Sequence, residues 1–143
     1  ASDVYKRQPL ELALSSGATF VAQGFSSDIK GLTKLIEDAI NHDGFSFVNV
    51  FSPCVTYNKI NTYDWFKENL TSIDDIENYD TTDKQLAIQT VLEHESMLKG
   101  IVYQDTETPS YESQIEEMEG TPLAKKDIHI SEDKFNELTK QFV

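Results

Sequence analysis

Two short apolar runs, "ATFVAQGF" from Ala18 to Phe25 and "FSFVNVF" from Phe45 to Phe51, flank a stretch with a different period. In it Ile29, Leu32, Leu35, Ile36, Ala39 and Ile40 recur at three- and four-residue spacing. Runs of β-branched and aromatic residues favour strands, and the recurrence makes a helix with one apolar face. Ser26, Ser27 and Asp28 stand at the helix start as residues whose side chains accept from free first-turn amides. Gly44 breaks the helix before the second run. Strand, helix and strand in so short a span form a βαβ unit, with parallel strands and a right-handed crossover. Only Ser46 and Asn49 interrupt the second run, which predicts an interior strand covered on both faces. Open α/β sheets place ligands beyond the carboxyl ends of their strands. Ser52, Pro53 and Cys54 fall there.

The remaining chain is read around this unit. Leu10, Leu12, Ala13 and Leu14 predict one or two helical turns stopping near Gly17. "TSIDDIENYDTTD" is an acidic loop, followed by a helix over Lys84 to Glu95 with Thr82 or Asp83 as its cap. "GIVYQD", Gly100 to Asp105, predicts a short strand, and "TPSYESQIEEMEG" a short acidic helix from about Ser110. A last helix in "SEDKFNELTKQFV" would take Ser131 as N-cap and Phe135, Leu138 and Phe142 as its apolar edge.

Charge divides the chain. Residues 1 to 70 carry six Lys/Arg against eight Asp/Glu, a net of -2, and residues 71 to 143 carry six against seventeen, a net of -11. Nucleic-acid affinity depends on lysine and arginine displacing condensed counterions, so DNA and RNA are not expected partners. No apolar run approaches the roughly 18 to 20 residues of a membrane helix, so no membrane association is expected either. One cysteine in 143 residues allows no internal disulfide and suits a cytoplasmic setting.

That cysteine, Cys54, has three readings. A lone cysteine is commonly a small buried hydrophobe. As a nucleophile it needs a base, but His42 is predicted at the far end of the helix, a strand length away. As a metal ligand one thiol does not suffice, because a four-iron cluster ordinarily takes four. The acidic loop with Asp74, Asp75, Glu77, Asn78, Asp80 and Asp83 lacks the glycine and terminal glutamate of a helix-loop-helix calcium site. It reads as a solvated loop. Tyr57, Tyr63, Trp65 and Phe66 form a dense aromatic group that suits a loop clamped on the sheet. Asn58, Lys59, Asn61 and Thr62 between them are harder to place in a core and suit a lined site or an interface.

At this point the residues suggest a family. Pro9 to Leu70 resembles the carboxyl-terminal half of the beta subunit of 2-oxoacid:ferredoxin oxidoreductases, thiamine-diphosphate enzymes acting on 2-oxoglutarate or pyruvate. "SPCVTYNKINTYDW" is the most specific part, resembling the family's Pro-Cys-Val-Thr-aromatic-Asn element and the Asn-Thr-aromatic motif after it. "NYDTTDKQLAI" and "GIVYQDTETPSYE" look like later family segments. The resemblance implies an enzyme that oxidatively decarboxylates a 2-oxoacid to acyl-coenzyme A and carbon dioxide, with electrons passing through a [4Fe-4S] cluster to ferredoxin. Its cofactors would be thiamine diphosphate, Mg2+ and that cluster, and its partners an alpha subunit, ferredoxin, the 2-oxoacid and coenzyme A. Carried onto this chain, Cys54 would be the fourth cluster ligand, and Thr56 a neighbour able to tune it. The strongly acidic half is a poor docking face for acidic ferredoxins, so the acceptor is expected elsewhere.

The sequence also departs from the pattern. Three further cysteines and a Gly-Asp-Gly diphosphate motif are not in it, and "ASDVYKRQ" resembles neither the family nor a natural start. It looks like a sequence-assembly join. The expectation is therefore a fragment, inactive on its own, of α/β class. Residues 1 to 8 are an unassigned leader, and 9 to 70 the βαβ core of a parallel-sheet thiamine-diphosphate-binding fold with the cluster-ligand loop. Residues 71 to 143 are an acidic, mainly helical extension. No catalytic residue is assigned. The competing expectation is a non-catalytic acidic α/β interaction module with a structural cysteine.

Overall fold

A computed structural model of the chain describes residues 9–115 and 120–142. The expected leader, residues 1 to 8, lies outside the described residues. Helix α1, Pro9–Ser15, begins on a proline, which gives up no helical hydrogen bond at that position. It stops as the sequence predicts. Gly17 takes the left-handed φ of +89°, its amide donates to the Leu14 carbonyl, and the Ala18 amide donates to that of Ala13. Strand β1, Phe20–Phe25, is buried along its whole length. Helix α2, Ile29–Asn41, is capped by Asp28, whose carboxylate accepts from the Gly31 amide at 3.0 Å. Strand β2 follows over Ser46–Phe51 and pairs with β1 in parallel, from Phe20 with Ser46 to Phe25 with Phe51. The βαβ unit is therefore present.

Four elements depart from the sequence reading. Tyr63–Asn69, expected as part of a loop, forms a two-turn helix, α3, too short to show a period. Thr71–Ser72 forms a two-residue strand, β3, and the fourth strand, β4, is Leu98–Gln104, two residues earlier than its apolar run suggests. The acidic helix expected from Ser110 is a single 3-10 turn at Glu112–Gln114, and residues 116–119 lie outside the described residues. Between β3 and β4 runs α4, Lys84–Glu93, capped by Asp83 through the amides of Gln85 and Leu86.

The sheet order is β2-β1-β4-β3. Two pairs are parallel, and β4 runs antiparallel to β1, with a register irregularity between Val21 and Ala22. The sheet is thus mostly parallel but mixed, and the acidic segment after residue 70 begins by completing it. Among the described residues β2 stands at an edge, and its side chains are half-buried or exposed. That corrects the expectation of an interior strand: Phe47 and Val48 pack on opposite faces, but among the described residues β2 has a strand neighbour along one edge only.

Side chains divide between two faces. Leu10, Leu14, Val21, Val91, Leu98 and Val102 pack in one cluster, bringing α1 and α4 to one face. Phe20, Ala22 and Leu35 pack in the other, with Ala39 and Val48, bringing α2 to the opposite face. Burying one such side chain contributes about 1.5–3 kcal/mol, so the unit has a real core despite its open edge. The chain divides into this unit, running to Ser110, and a second from Tyr111 onward. The second contains α5, Glu132–Thr139, with Ser131 as N-cap. The expected apolar edge of α5, Phe135 and Leu138 with Phe142 beyond, is exposed.

Candidate functional site

The carboxyl ends of β1 and β2 lie side by side, tied by the Ser26 amide donating to the Phe51 carbonyl at 2.9 Å. Beyond them, residues 52 to 62 form a loop that folds on itself. The Asn58 amide donates to the Cys54 carbonyl at 2.9 Å, and the Lys59 ammonium donates to the Val55 carbonyl at 2.6 Å. The Asn58 carboxamide oxygen then accepts from the amides of Ile60 and Asn61 at 3.0 and 2.9 Å, an Asx turn that reverses the chain. Thr62 caps α3, accepting from the Trp65 amide at 3.4 Å.

The aromatic group does two different things. Phe66 stacks on Phe51 at 4.9 Å between ring centres and on Phe25 at 5.7 Å, and Tyr63 meets Phe25 at 5.8 Å. Trp65 meets Phe66 edge-on at 5.1 Å. These rings clamp α3 across the ends of both strands, the packed-loop role anticipated for them. Tyr57 does not join them and is 89% exposed at the loop tip.

The loop therefore presents Cys54 from a fixed frame. Its side chain is exposed, as are Thr56 and Lys59. Cys54, Ser52, Asn58 and Asn49 line one cavity of about 390 Å³ beside the end of β2. Asn58, Lys59, Asn61 and Thr62 are each engaged in holding the loop. Of them, Asn58 also faces this cavity.

Other polar candidates lie apart. His42 is at the opposite end of the strands, its Nε2 at 2.8 Å from the Thr19 hydroxyl and its ring against Phe20. His94 closes α4, and His129 lies in the second unit. In the acidic loop, Asp80 accepts from the Thr82 hydroxyl and amide, which hold its carboxyl below the ordinary range. Among the described residues, no three His, Cys, Asp or Glu side chains gather as a metal site. What the chain offers a metal cluster is one thiol, exposed at a cavity. That suits one corner of a four-thiolate cluster and no more.

The sequence reading missed one part of the site. Gln23, in the middle of β1, is fully buried. Its amide donates to the carbonyls of Ser96 and Leu98, both at 2.7 Å, and its oxygen accepts from Asn49 at 2.6 Å. The signal was available: each apolar strand carries one carboxamide two residues before its final phenylalanine, and parallel pairing sets Gln23 opposite Asn49.

Comparison with known proteins adds to this geometry. Residues 54–120 match the family model for the C terminal of the pyruvate ferredoxin oxidoreductase beta subunit, a match that starts on Cys54. A 2-oxoacid:ferredoxin oxidoreductase subunit beta from a Sulfolobus species is 39% identical over 117 residues, 75% of this chain and 38% of that one. The subunit beta from Saccharolobus solfataricus is 32% identical over 131 residues, 85% of this chain and 43% of that one. The chain thus spans about two fifths of the length of these curated relatives. Among solved structures, a 2-oxoglutarate:ferredoxin oxidoreductase from Magnetococcus marinus, with 2-oxoglutarate, coenzyme A and succinyl-CoA bound, superposes with a TM-score of 0.70 at 30% identity. The likeness covers 91% of this chain and 43% of that one. The resemblance carried by the Pro-Cys-Val-Thr segment is borne out.

Proposed function

We propose that this homologue of 2-oxoacid:ferredoxin oxidoreductase beta subunits acts as the carboxyl-terminal part of such a subunit, with Cys54 as one ligand of a [4Fe-4S] cluster. The observation that carries the proposal is the exposed thiol of Cys54, held at the carboxyl end of a parallel strand by a self-bonded loop and open to a cavity. A sulfur kept there for packing would be buried. The competing module with a structural cysteine is disfavoured on that ground.

In this reading the whole enzyme decarboxylates a 2-oxoacid, of 2-oxoglutarate or pyruvate type, and passes electrons to ferredoxin while coenzyme A takes the acyl group. Thiamine diphosphate with Mg2+ supplies the carbanion chemistry when bound, and the cluster supplies one-electron transfer. This sequence holds neither a Gly-Asp-Gly triplet nor a second cysteine. The diphosphate site and three thiolates would come from chain outside it, and an alpha subunit would join it in the assembly. The residues here have narrower tasks. Cys54 binds, and Asn58 and Lys59 fix the backbone that carries it. Thr56, exposed on the same turn, is placed by sequence two residues from the thiol to hydrogen-bond near the sulfur. The cofactor-binding role of residues 9 to 70 and a cytoplasmic setting belong to the same proposal, although the packed unit that includes them continues through β4 to Ser110. Among the described residues, no helix is long and apolar enough to cross a membrane.

The test is Cys54→Ala in the full-length subunit assembled with its alpha subunit. Iron content should fall, with loss of ferredoxin reduction. Unchanged iron and unchanged electron transfer would sink the proposal. Reading the coding sequence upstream of Pro9 is the inexpensive companion. Three cysteines and a Gly-Asp-Gly motif there favour the enzyme, and a true start codon near Ala1 favours the module.

A further inference from the structure

Gln23 lies in the core face of β1, where a carboxamide is costly unless its donors and acceptor are all used. Both its bonds from Nε2 go to backbone carbonyls, of Ser96 and Leu98. Turning the amide over would set its oxygen against two acceptors, so chemistry fixes which end faces which way. The oxygen must face β2, and there it takes the Asn49 amide at 2.6 Å. The constraint then passes one residue further. Asn49 has to give its NH2 to Gln23, so its own carbonyl oxygen is turned away from Gln23. Asn49 lines the cavity that Cys54 also lines.

The far anchor is itself held under load. Glu95 and Ser96 have φ of +49° and +60°, left-handed values that are strained outside glycine. The Ser96 amide donates to Val91 at 2.8 Å, closing α4 and leaving the Ser96 carbonyl for Gln23. One buried side chain thus joins the turn into β4 to the end of β2.

We propose that Gln23 and Asn49 are a positioning pair for the Cys54 loop, and that the Asn49 carbonyl is an orientation-locked hydrogen-bond acceptor at the cavity that Cys54 also lines. The pair acts through the strand that carries Cys54, not by touching a substrate. The inference rests on Cys54 being a cluster ligand for its role in electron transfer, and for the positioning on the bonds of the pair, the shared cavity and the strand that leads into the loop.

The test uses the full-length subunit in its complex, with three variants of the half-exposed Asn49. Asn49→Asp and Asn49→Leu keep the approximate shape and lose the donor. Asn49→His is bulkier but puts a ring N–H at the same distance along the side chain. Amide hydrogen exchange over residues 52 to 62 should quicken at least tenfold in the Asp and Leu variants and stay near wild type in the His variant. The electron paramagnetic resonance line shape of the reduced cluster should change in the first two with iron content retained. Wild-type exchange and line shape in Asn49→Leu would overturn the inference. So would Asn49→His being the most disturbed, as a pure space-filling role requires. Full iron in Cys54→Ala would instead overturn the cluster reading, and loop exchange would still decide the positioning.

Discussion

An N-cap is a local contest between a side chain and the first free amides of a helix, and the Asp28, Asp83 and Ser131 side chains each accept from those amides. That locality let the sequence narrow the caps to Ser26, Ser27 or Asp28, to Thr82 or Asp83, and to Ser131, of which the structure selects Asp28, Asp83 and Ser131. Gln23 was readable only toward Asn49, which parallel pairing sets opposite it; its two carbonyl partners lie 73 and 75 positions away in the chain. Tyr79 is similar: its hydroxyl donates to the Val102 carbonyl at 2.6 Å across 23 positions. Burial pushes the Tyr79 phenol up to about 12, with the charge of Asp83 adding to it. The folded chain therefore holds this proton more tightly than the unfolded one, whose phenol titrates near 10. The contribution to stability is complete below about pH 10 and disappears as pH rises through about 12. Tyr79→Phe should cost about 1 kcal/mol at neutral pH, and urea midpoints of variant and wild type should converge between about pH 10 and 12. A constant offset across that range would show that the phenol proton has no part in it.

At the scale of elements, β1, α2 and β2 were legible because each is long enough to show its period. The direction of β4 was not, since an apolar run carries no sign. α3 was hidden by its length, and aromatic packing on Phe25 and Phe51 holds it where seven residues of helix alone would be marginal. The β4 strand has one position where the element as a whole dictates the residue. Gly100 sits at φ +123°, and a Cβ there would come 3.1 Å from Cβ of Ile73, on the turn that leads out of β3. Gly100→Ala therefore meets two costs, left-handed strain and a side chain that has to yield. Gly17, at φ +89° with open space where a Cβ would stand, meets the strain alone. Denaturation by urea should show Gly100→Ala losing about 2–3 kcal/mol and Gly17→Ala about 1 kcal/mol. Equal losses would mean that Ile73 gives way freely and that the β3–β4 contact is looser than its geometry.

For the molecule as a whole, two opposing features meet. The chain carries a net charge of -13, which keeps copies apart in dilute salt. Yet among the described residues one edge of the sheet is β2, whose sequence, SFVNVF, has no charged residue; its Val50 is exposed, as is Phe45 just before it. Natural edges are usually guarded by lysine, proline or a bulge. Among the described residues this one has no such guard, and the charge that keeps copies apart lies elsewhere, most of it after residue 70. Such protection acts through solvent and is subject to screening, whose length falls from about 30 Å at 0.01 M salt to about 3 Å at 1 M. Strand pairing and apolar contact act at van der Waals range and survive it. The isolated chain should therefore be monomeric by light scattering at low ionic strength and associate as salt rises. Val50→Lys, which puts a charge on the edge itself, should suppress that association at every salt concentration. Pairing with the rest of a full-length subunit along the same edge would do so as well, since an occupied edge offers nothing to a second copy. Association that weakens with added salt would instead identify ion pairs between the unequally charged halves as the contact, and would leave the β2 edge without a part in it.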